Sequence, residues 1–273
     1  MIPSHTVLRL QGYEGRAVCL WLNQAGYHCA LLEYRILRAH PGPLLDARRA
    51  VQLTRSNSAV WGVKRVVTLG FSAGAHLAGH LALSWNHPVG RRVDQRLRKA
   101  GDRAAAESPR PDGVVLAYPI IVAGMIGHVT ALDHLARSSP SLPPPFFIWH
   151  TESDDVAPVN GTQRLIAALA ARGASVEAHI FQGPIQHGLA LARDARWRNR
   201  ALGQWTALCL GWMEHSLGKN NSDADSDIGV AWRAAWLDPR AITEQLLGRS
   251  DGVSSTNSTI AHSGSSTITV WRW

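Results

Sequence analysis

A serine, an acid and a histidine, far apart in the chain, are the residue types that acyl transfer requires. Gly70-Phe-Ser-Ala-Gly74 is a G-x-S-x-G, with Ser72 as the candidate nucleophile. A serine hydroxyl is a weak nucleophile near neutral pH. It needs a base within hydrogen-bond reach and an acid that orients the base. His187, in the glycine-bounded Gly183-Pro-Ile-Gln-His-Gly188, is the candidate base. The acid comes from Glu152, Asp154 and Asp155, among which Asp154 and Asp155 compete; an aspartate there also suits the cap of the following helix. The backbone N–H of Ala73, next to the nucleophile, is the candidate oxyanion-hole donor. His76 and His80 are four apart, a zinc-like spacing, but position 77 is leucine where H-E-x-x-H needs glutamate. A packing or hydrogen-bonding role is expected for both, with no metal. No G-x-G-x-x-G or G-K-[ST] is present, so no cofactor is expected either.

These residues need elements to carry them. Val66, Val67 and Leu69 make a short β-branched apolar run, and Ala73 to Leu83 is a proline-free Ala/Leu/His run. Strand, G-x-S-x-G and helix in that order form a nucleophile elbow, where residues without Cβ at 70 and 74 allow close backbone approach. Helices are expected at Glu14 to Ala25, Leu44 to Arg55, Asn160 to Arg172 and Arg196 to Leu217. Strands are expected at Cys29 to Ile36, 65–70, Gly113 to Tyr118, Phe146 to Trp149 and Val176 to Phe181. Ile120 to Leu142 is mixed and reads as a helical lid. The alternation predicts an α/β fold, a mostly parallel sheet covered on both faces. The loops after the strands at 65–70, 146–149 and 176–181 should then converge at one rim and bring 72, 154/155 and 187 together.

The chain has 273 residues, room for one large α/β domain with an appendage or for two small domains. We expect a hydrolytic domain over 1–218 and a polar, disordered tail over 219–273, with a short helix between Ile228 and Leu247. Net charge is +8, densest at Arg91, Arg92, Arg96, Arg98, Lys99 and Arg103. That cluster has no interleaved aromatic residue and reads as a solvated surface insertion, not a nucleic-acid site. No run of about 18 apolar residues predicts a membrane span. Met1 to Val7 lacks the layout of a signal peptide, and Cys19, Cys29 and Cys209 lie in apolar segments without C-x-x-C spacing. Buried reduced thiols and a cytoplasmic location are therefore expected. Oligomeric state is not legible.

Several stretches together resemble the α/β-hydrolase esterases of the acetyl-xylan-esterase-like and lipase/esterase type. They are Gly12 to Gly26, Leu32-Glu-Tyr-Arg35, Asp46-Ala-Arg-Arg-Ala50, Gly70 to Ala78, Pro111 to Pro119, His150 to Val159 and Phe181 to Gly188. The likeness covers about residues 3–217, with the motifs in family order. It implies an α/β-hydrolase fold and a serine carboxylesterase acting on small acyl, acetyl-like esters, including those of carbohydrates. In the family's His-Thr-x-x-Asp-x-x-x-Pro-Val pattern the catalytic acid falls on Asp154, the serine on Ser72 and the histidine on His187.

Two departures stand out. Where the family has the glycine-rich turn Pro-Gly-Gly-Gly-Tyr, this chain reads Pro3-Ser-His-Thr-Val7. Such glycines let N–H groups approach the oxyanion, and losing one donor costs roughly 10²–10³ in rate. The family's strands before this turn are also missing, one of them central, between the strands matching 29–36 and 65–70. An N-terminally truncated domain, or a makeshift strand at Thr6 to Leu10, would account for this. The alternative reading is a catalytically impaired remnant without a competent oxyanion loop.

Overall fold

A computed structural model of the chain describes residues 14–35, 41–121, 132–138, 141–193 and 201–217, and the backbone of 267–272. Helices are α1 (Arg16–Gln24), α2 (Gly42–Ser56), α3 (Ser58–Trp61), α4 (Ser72–Ser84), α5 (Pro88–Lys99), α6 (Leu132–Ser138), α7 (Val159–Ala171) and α8 (Trp205–Leu217). Strands are β1 (Tyr27–Leu32), β2 (Arg65–Phe71), β3 (Gly113–Ala117), β4 (Phe146–Thr151), β5 (Val176–Phe181) and β6 (Thr267–Arg272). They form one sheet in the order β1-β6-β2-β3-β4-β5.

From β2 to β5 every neighbouring pair is parallel, so four carboxyl ends lie along one rim. Both faces of β3 and β4, and of β2 from Val66 onward, are buried with period-two alternation, whereas β5 at the sheet edge is only half-buried. Val67, Leu69, Phe71, Val115, Ala117, Phe147 and Trp149 pack with α1 and α8 on one face. Val114, Leu116, Phe146 and Ile148 pack with α4, α6 and α7 on the other. That two-sided burial is why the strands read as continuous apolar runs. The expected α/β-hydrolase architecture holds.

The expected break between β1 and β2 is closed from the far end of the chain. β6 lies between them, antiparallel to both, with Val270 level with Cys29 on one side and Val67 on the other. Thr6 to Leu10, the expected makeshift strand, lies outside the described residues. The 219–273 tail must be corrected at its end, since Thr267–Arg272 is sheet. The alternation Thr-Ile-Thr-Val-Trp-Arg suits a strand, but it adjoins a Ser/Thr/Gly-rich stretch whose composition masks it. The expected short helix within 228–247 lies outside the described residues, as do 122–131 and 139–140 of the expected lid, whose described helical part is α6.

The thiols also need correction. Cys19 and Cys29 are disulfide-bonded, with Cα atoms 5.2 Å apart. The turn after α1 folds the helix back along β1, so two cysteines ten residues apart become neighbours. Only Cys209 is a free buried thiol, and burial, then Glu177, pushes its pKa up. The basic insertion contains a helix. Asp94 of α5 turns inward to Arg48 at 2.5 Å, and Asp102 meets Arg49 at 2.5 Å. The six cations between 91 and 103 remain exposed.

Candidate active site

β2 ends at Phe71, and the chain turns at once into α4 through Ser72, whose φ is +53°. A serine in this left-handed region is strained by about 1–3 kcal/mol. Gly70 makes the turn possible: a Cβ there would lie 2.3 Å from the Gly74 carbonyl oxygen. Ser72 and Ala73 open α4, where first-turn N–H groups have no intrahelical acceptor. The candidate oxyanion donor Ala73 thus stands at the positive end of the helix.

The candidate base, His187, lies in the loop that follows β5. After Phe181 the chain loops through Gly183 (φ +115°) to His187, then turns at Gly188 (φ +84°), a conformation that favours glycine. Ser153 donates a hydrogen bond to the Gly183 carbonyl at 2.8 Å, tying this loop to the one after β4. His187 Nε2 lies 2.8 Å from Ser72 Oγ, and its Nδ1 lies 2.7 Å from Asp154 Oδ2. The three expected residues therefore form one hydrogen-bonded chain. Asp155, the competing acid, is exposed.

Asp154 is 5% exposed and held from several sides. The N–H groups of Val156 and Ala157 donate to Oδ1 at 3.0 and 2.7 Å. His150, fully buried on β4, lies 3.3 Å from Oδ2. His150 Nε2 also donates to the Ala157 carbonyl at 2.8 Å, which leaves Nδ1 to accept from the Thr162 hydroxyl at 2.8 Å. Burial by itself pushes the Asp154 carboxyl up. Hydrogen bonds from His150, His187 and Ala157 outweigh it and hold the group well below the ordinary carboxylate range. The Asp154 carboxyl is thus kept ionised beside the His187 imidazole.

His76 donates its Nδ1–H to the Ile120 carbonyl at 2.8 Å, and its ring lies 6.0 Å from that of His80. This is the hydrogen-bonding role expected of it. No His/Cys/Asp/Glu cluster among the described residues is arranged to hold a metal.

Sequence reasoning missed three residues beside this chain: Glu14, Tyr118 and His150. Tyr118 follows β3, and its ring meets those of His187 and Trp149 edge to face, each at 4.9 Å. Its hydroxyl donates to Glu14 Oε1 at 2.7 Å. Burial pushes the Glu14 carboxyl up, against the opposing pull of the Tyr118 hydrogen bond and of His187. His150 was visible as the first residue of the His-Thr-x-x-Asp pattern, though without a role; Glu14 and Tyr118 lay in matching stretches with no chemical signal of their own.

Comparison with known proteins agrees with the fold. The BD-FAE family model matches residues 11–140. An acetyl ester-xyloside bifunctional hydrolase from Caldicellulosiruptor lactoaceticus is 33% identical, with a TM-score of 0.62 over 76% of this chain and 78% of that one. A carboxylesterase from Lactobacillus plantarum, 20% identical, superposes with a TM-score of 0.61 over 78% of this chain and 84% of that one, a likeness of fold. The curated relative endo-1,4-beta-xylanase B of Butyrivibrio fibrisolvens is 27% identical over 228 residues, 76% of this chain. The chain spans about a third of that relative's length, 34%. The chain belongs to the α/β-hydrolase esterases of the acetyl-xylan-esterase-like type. As a class these are carboxylic ester hydrolases.

Proposed function

We propose that the chain is a serine carboxylesterase that cleaves small acyl, acetyl-like esters, including esters borne on carbohydrate, through Ser72, His187 and Asp154. The single observation carrying this reading is the continuous Ser72–His187–Asp154 hydrogen-bond chain, at 2.8 and 2.7 Å.

In this mechanism the Ser72 hydroxyl donates to Nε2 of neutral His187, whose Nδ1–H donates to Asp154. As Oγ attacks the ester carbonyl, its proton passes to Nε2. Asp154 stabilises the resulting imidazolium without taking its proton. The carbonyl oxygen becomes an oxyanion that the Ala73 N–H can meet at the start of α4. Collapse breaks the bond to the alcohol oxygen, which leaves with the proton from Nε2. A water molecule then gives its proton to Nε2 and attacks the acyl-enzyme, releasing acid and restoring Ser72. The xylan-related names of two relatives support acetylated sugars as the substrate class.

Hydrolysis of p-nitrophenyl acetate by the wild type and by Ser72→Ala tests the reading. Loss of activity in the variant is expected; equal rates would end the proposal. A second reading, an impaired hydrolase, draws on Pro3-Ser-His-Thr-Val7 in place of a glycine-rich turn. Covalent labelling of Ser72 by a fluorophosphonate in the wild type counts against it, because labelling needs an activated serine.

A further inference from the structure

Ser72 follows β2 and Asp154 follows β4, with β3 between them. Their strands are thus about 10 Å apart at ordinary spacing. The imidazole joining them must lie over the end of β3, and the first residue beyond β3 is Tyr118. Tyr118 touches the His187 ring edge to face, with centroids 4.9 Å apart and planes at 73°. Its hydroxyl is used twice. It accepts from the Ala190 N–H at 3.0 Å, three residues beyond His187, and donates to Glu14 Oε1 at 2.7 Å.

Glu14 is 2% exposed, and its Oε2 has no hydrogen-bond partner among the described residues. A carboxyl this deeply buried with one oxygen unpaired among the described residues is a costly way to fill space, and an apolar side chain would pack there without that penalty. Backbone strain falls along the same line. Ser72, Tyr118 and Ala190 are three of the four described non-glycine residues with positive φ, at +53°, +38° and +43°. Strained residues persist where the surroundings over-determine them, and they concentrate at working sites.

We propose that Glu14 and Tyr118 are positioning residues: Glu14 orients the Tyr118 hydroxyl, and Tyr118 holds both the His187 ring and the backbone of its loop. This rests on the reading of Ser72, His187 and Asp154 as the catalytic chain. With both functions of the hydroxyl engaged, the tyrosine ring has one orientation. The imidazole leaning on it then stays within reach of Oγ and Asp154 together. The latch acts through the geometry of the base, so its loss falls on kcat more than on KM.

The test compares Glu14→Ala, Glu14→Gln and Tyr118→Phe with wild type and Ser72→Ala. Each protein is assayed on p-nitrophenyl acetate at a fixed interval below its own melting temperature, with the His187 Nδ1–H proton resonance followed by NMR. We expect Glu14→Ala and Tyr118→Phe to lose ~10–100-fold in kcat with KM little changed. In both, the His187 resonance should shift or broaden. Glu14→Gln keeps an oxygen that accepts the tyrosine proton, so it should recover most of the lost kcat. Unchanged kcat in Glu14→Ala and Tyr118→Phe overturns the latch, and so does Glu14→Gln falling as far as Glu14→Ala. If wild type and Ser72→Ala hydrolyse the ester equally, the catalytic reading is what fails. The resonance then decides the latch alone: displacement in Tyr118→Phe supports it, and an unmoved signal overturns it.

Discussion

At the scale of single residues, the site depends on groups held in states they would not adopt in water. The Asp154 carboxylate is the clearest case. Its burial should favour the neutral form, yet donors from His150, His187 and two backbone amides keep it charged. Asp154→Asn leaves the shape but gives the imidazole a partner that supports the wrong tautomer. We expect kcat on p-nitrophenyl acetate to fall by about 10³–10⁴, with the fold retained by circular dichroism. At the elbow, the limiting contact is steric. Gly70→Ala would press a methyl group against the Gly74 carbonyl. The turn must open, so fluorophosphonate labelling of Ser72 should slow markedly while the variant also loses thermal stability.

At the scale of elements, two fastenings keep the site's supports together. The loops after β4 and β5 are joined by the Ser153 hydrogen bond and by the Glu152 N–H, which donates to the Phe181 carbonyl at 2.9 Å. On the other side of the sheet centre, the Cys19–Cys29 disulfide joins α1, the helix that Glu14 precedes, to β1. A closed loop of this size restricts the unfolded chain by roughly 2–3 kcal/mol. Cys19→Ser with Cys29→Ser should therefore lower stability by about that amount in urea titrations run without reductant. Adding dithiothreitol should lower the wild type similarly and leave the double variant unchanged. β1 also carries a titration. Burial pushes the His28 pKa down to about 4 from an ordinary 6.5. Below pH 6.5 the unfolded chain takes a proton there that the folded chain refuses. Stability is thus fully present above 6.5 and is lost as pH falls towards 4. Glu14 works in the opposite sense. Its carboxyl is raised in the fold, so its contribution is present in acid and is lost as pH rises beyond its ordinary value of 4.5. Urea titrations between pH 7 and 4.5 should show a steeper acid-side loss in the wild type than in His28→Gln.

At the scale of the whole molecule, the unusual feature is a sheet whose second strand comes from the end of the chain. β6 pairs along its length with β1 and with β2, running against both. Without it, the inner edges of two strands would lose their ladder partners. Each buried backbone group left unpaired costs about 1–3 kcal/mol. A chain ending at residue 261 should therefore lose its cooperative thermal transition and associate through the freed edges, visible by size-exclusion chromatography. The basic surface of α5 belongs to this scale as well. Its two acidic neighbours are consumed by Arg48 and Arg49, so the cations at 91–103 face solvent without them.

Local order was readable because local causes produce it. Apolar runs bounded by glycine and proline set β2 to β5, and the G-x-S-x-G between strand and helix set the elbow at Ser72. The parallel alternation then required the loops carrying 154 and 187 to share a rim with it. The choice between Asp154 and Asp155 needed the family motif, and burial distinguishes them in the fold. What the chain could not disclose locally depends on contacts between distant segments. The Cys19–Cys29 bond requires α1 to fold back on β1. The Glu14–Tyr118–Ala190 line joins residues from three regions through groups with no catalytic signature of their own. The partner of β1 and β2 lies roughly two hundred residues further along the chain than either strand, because strand pairing is governed by open hydrogen-bond edges and not by proximity along the chain.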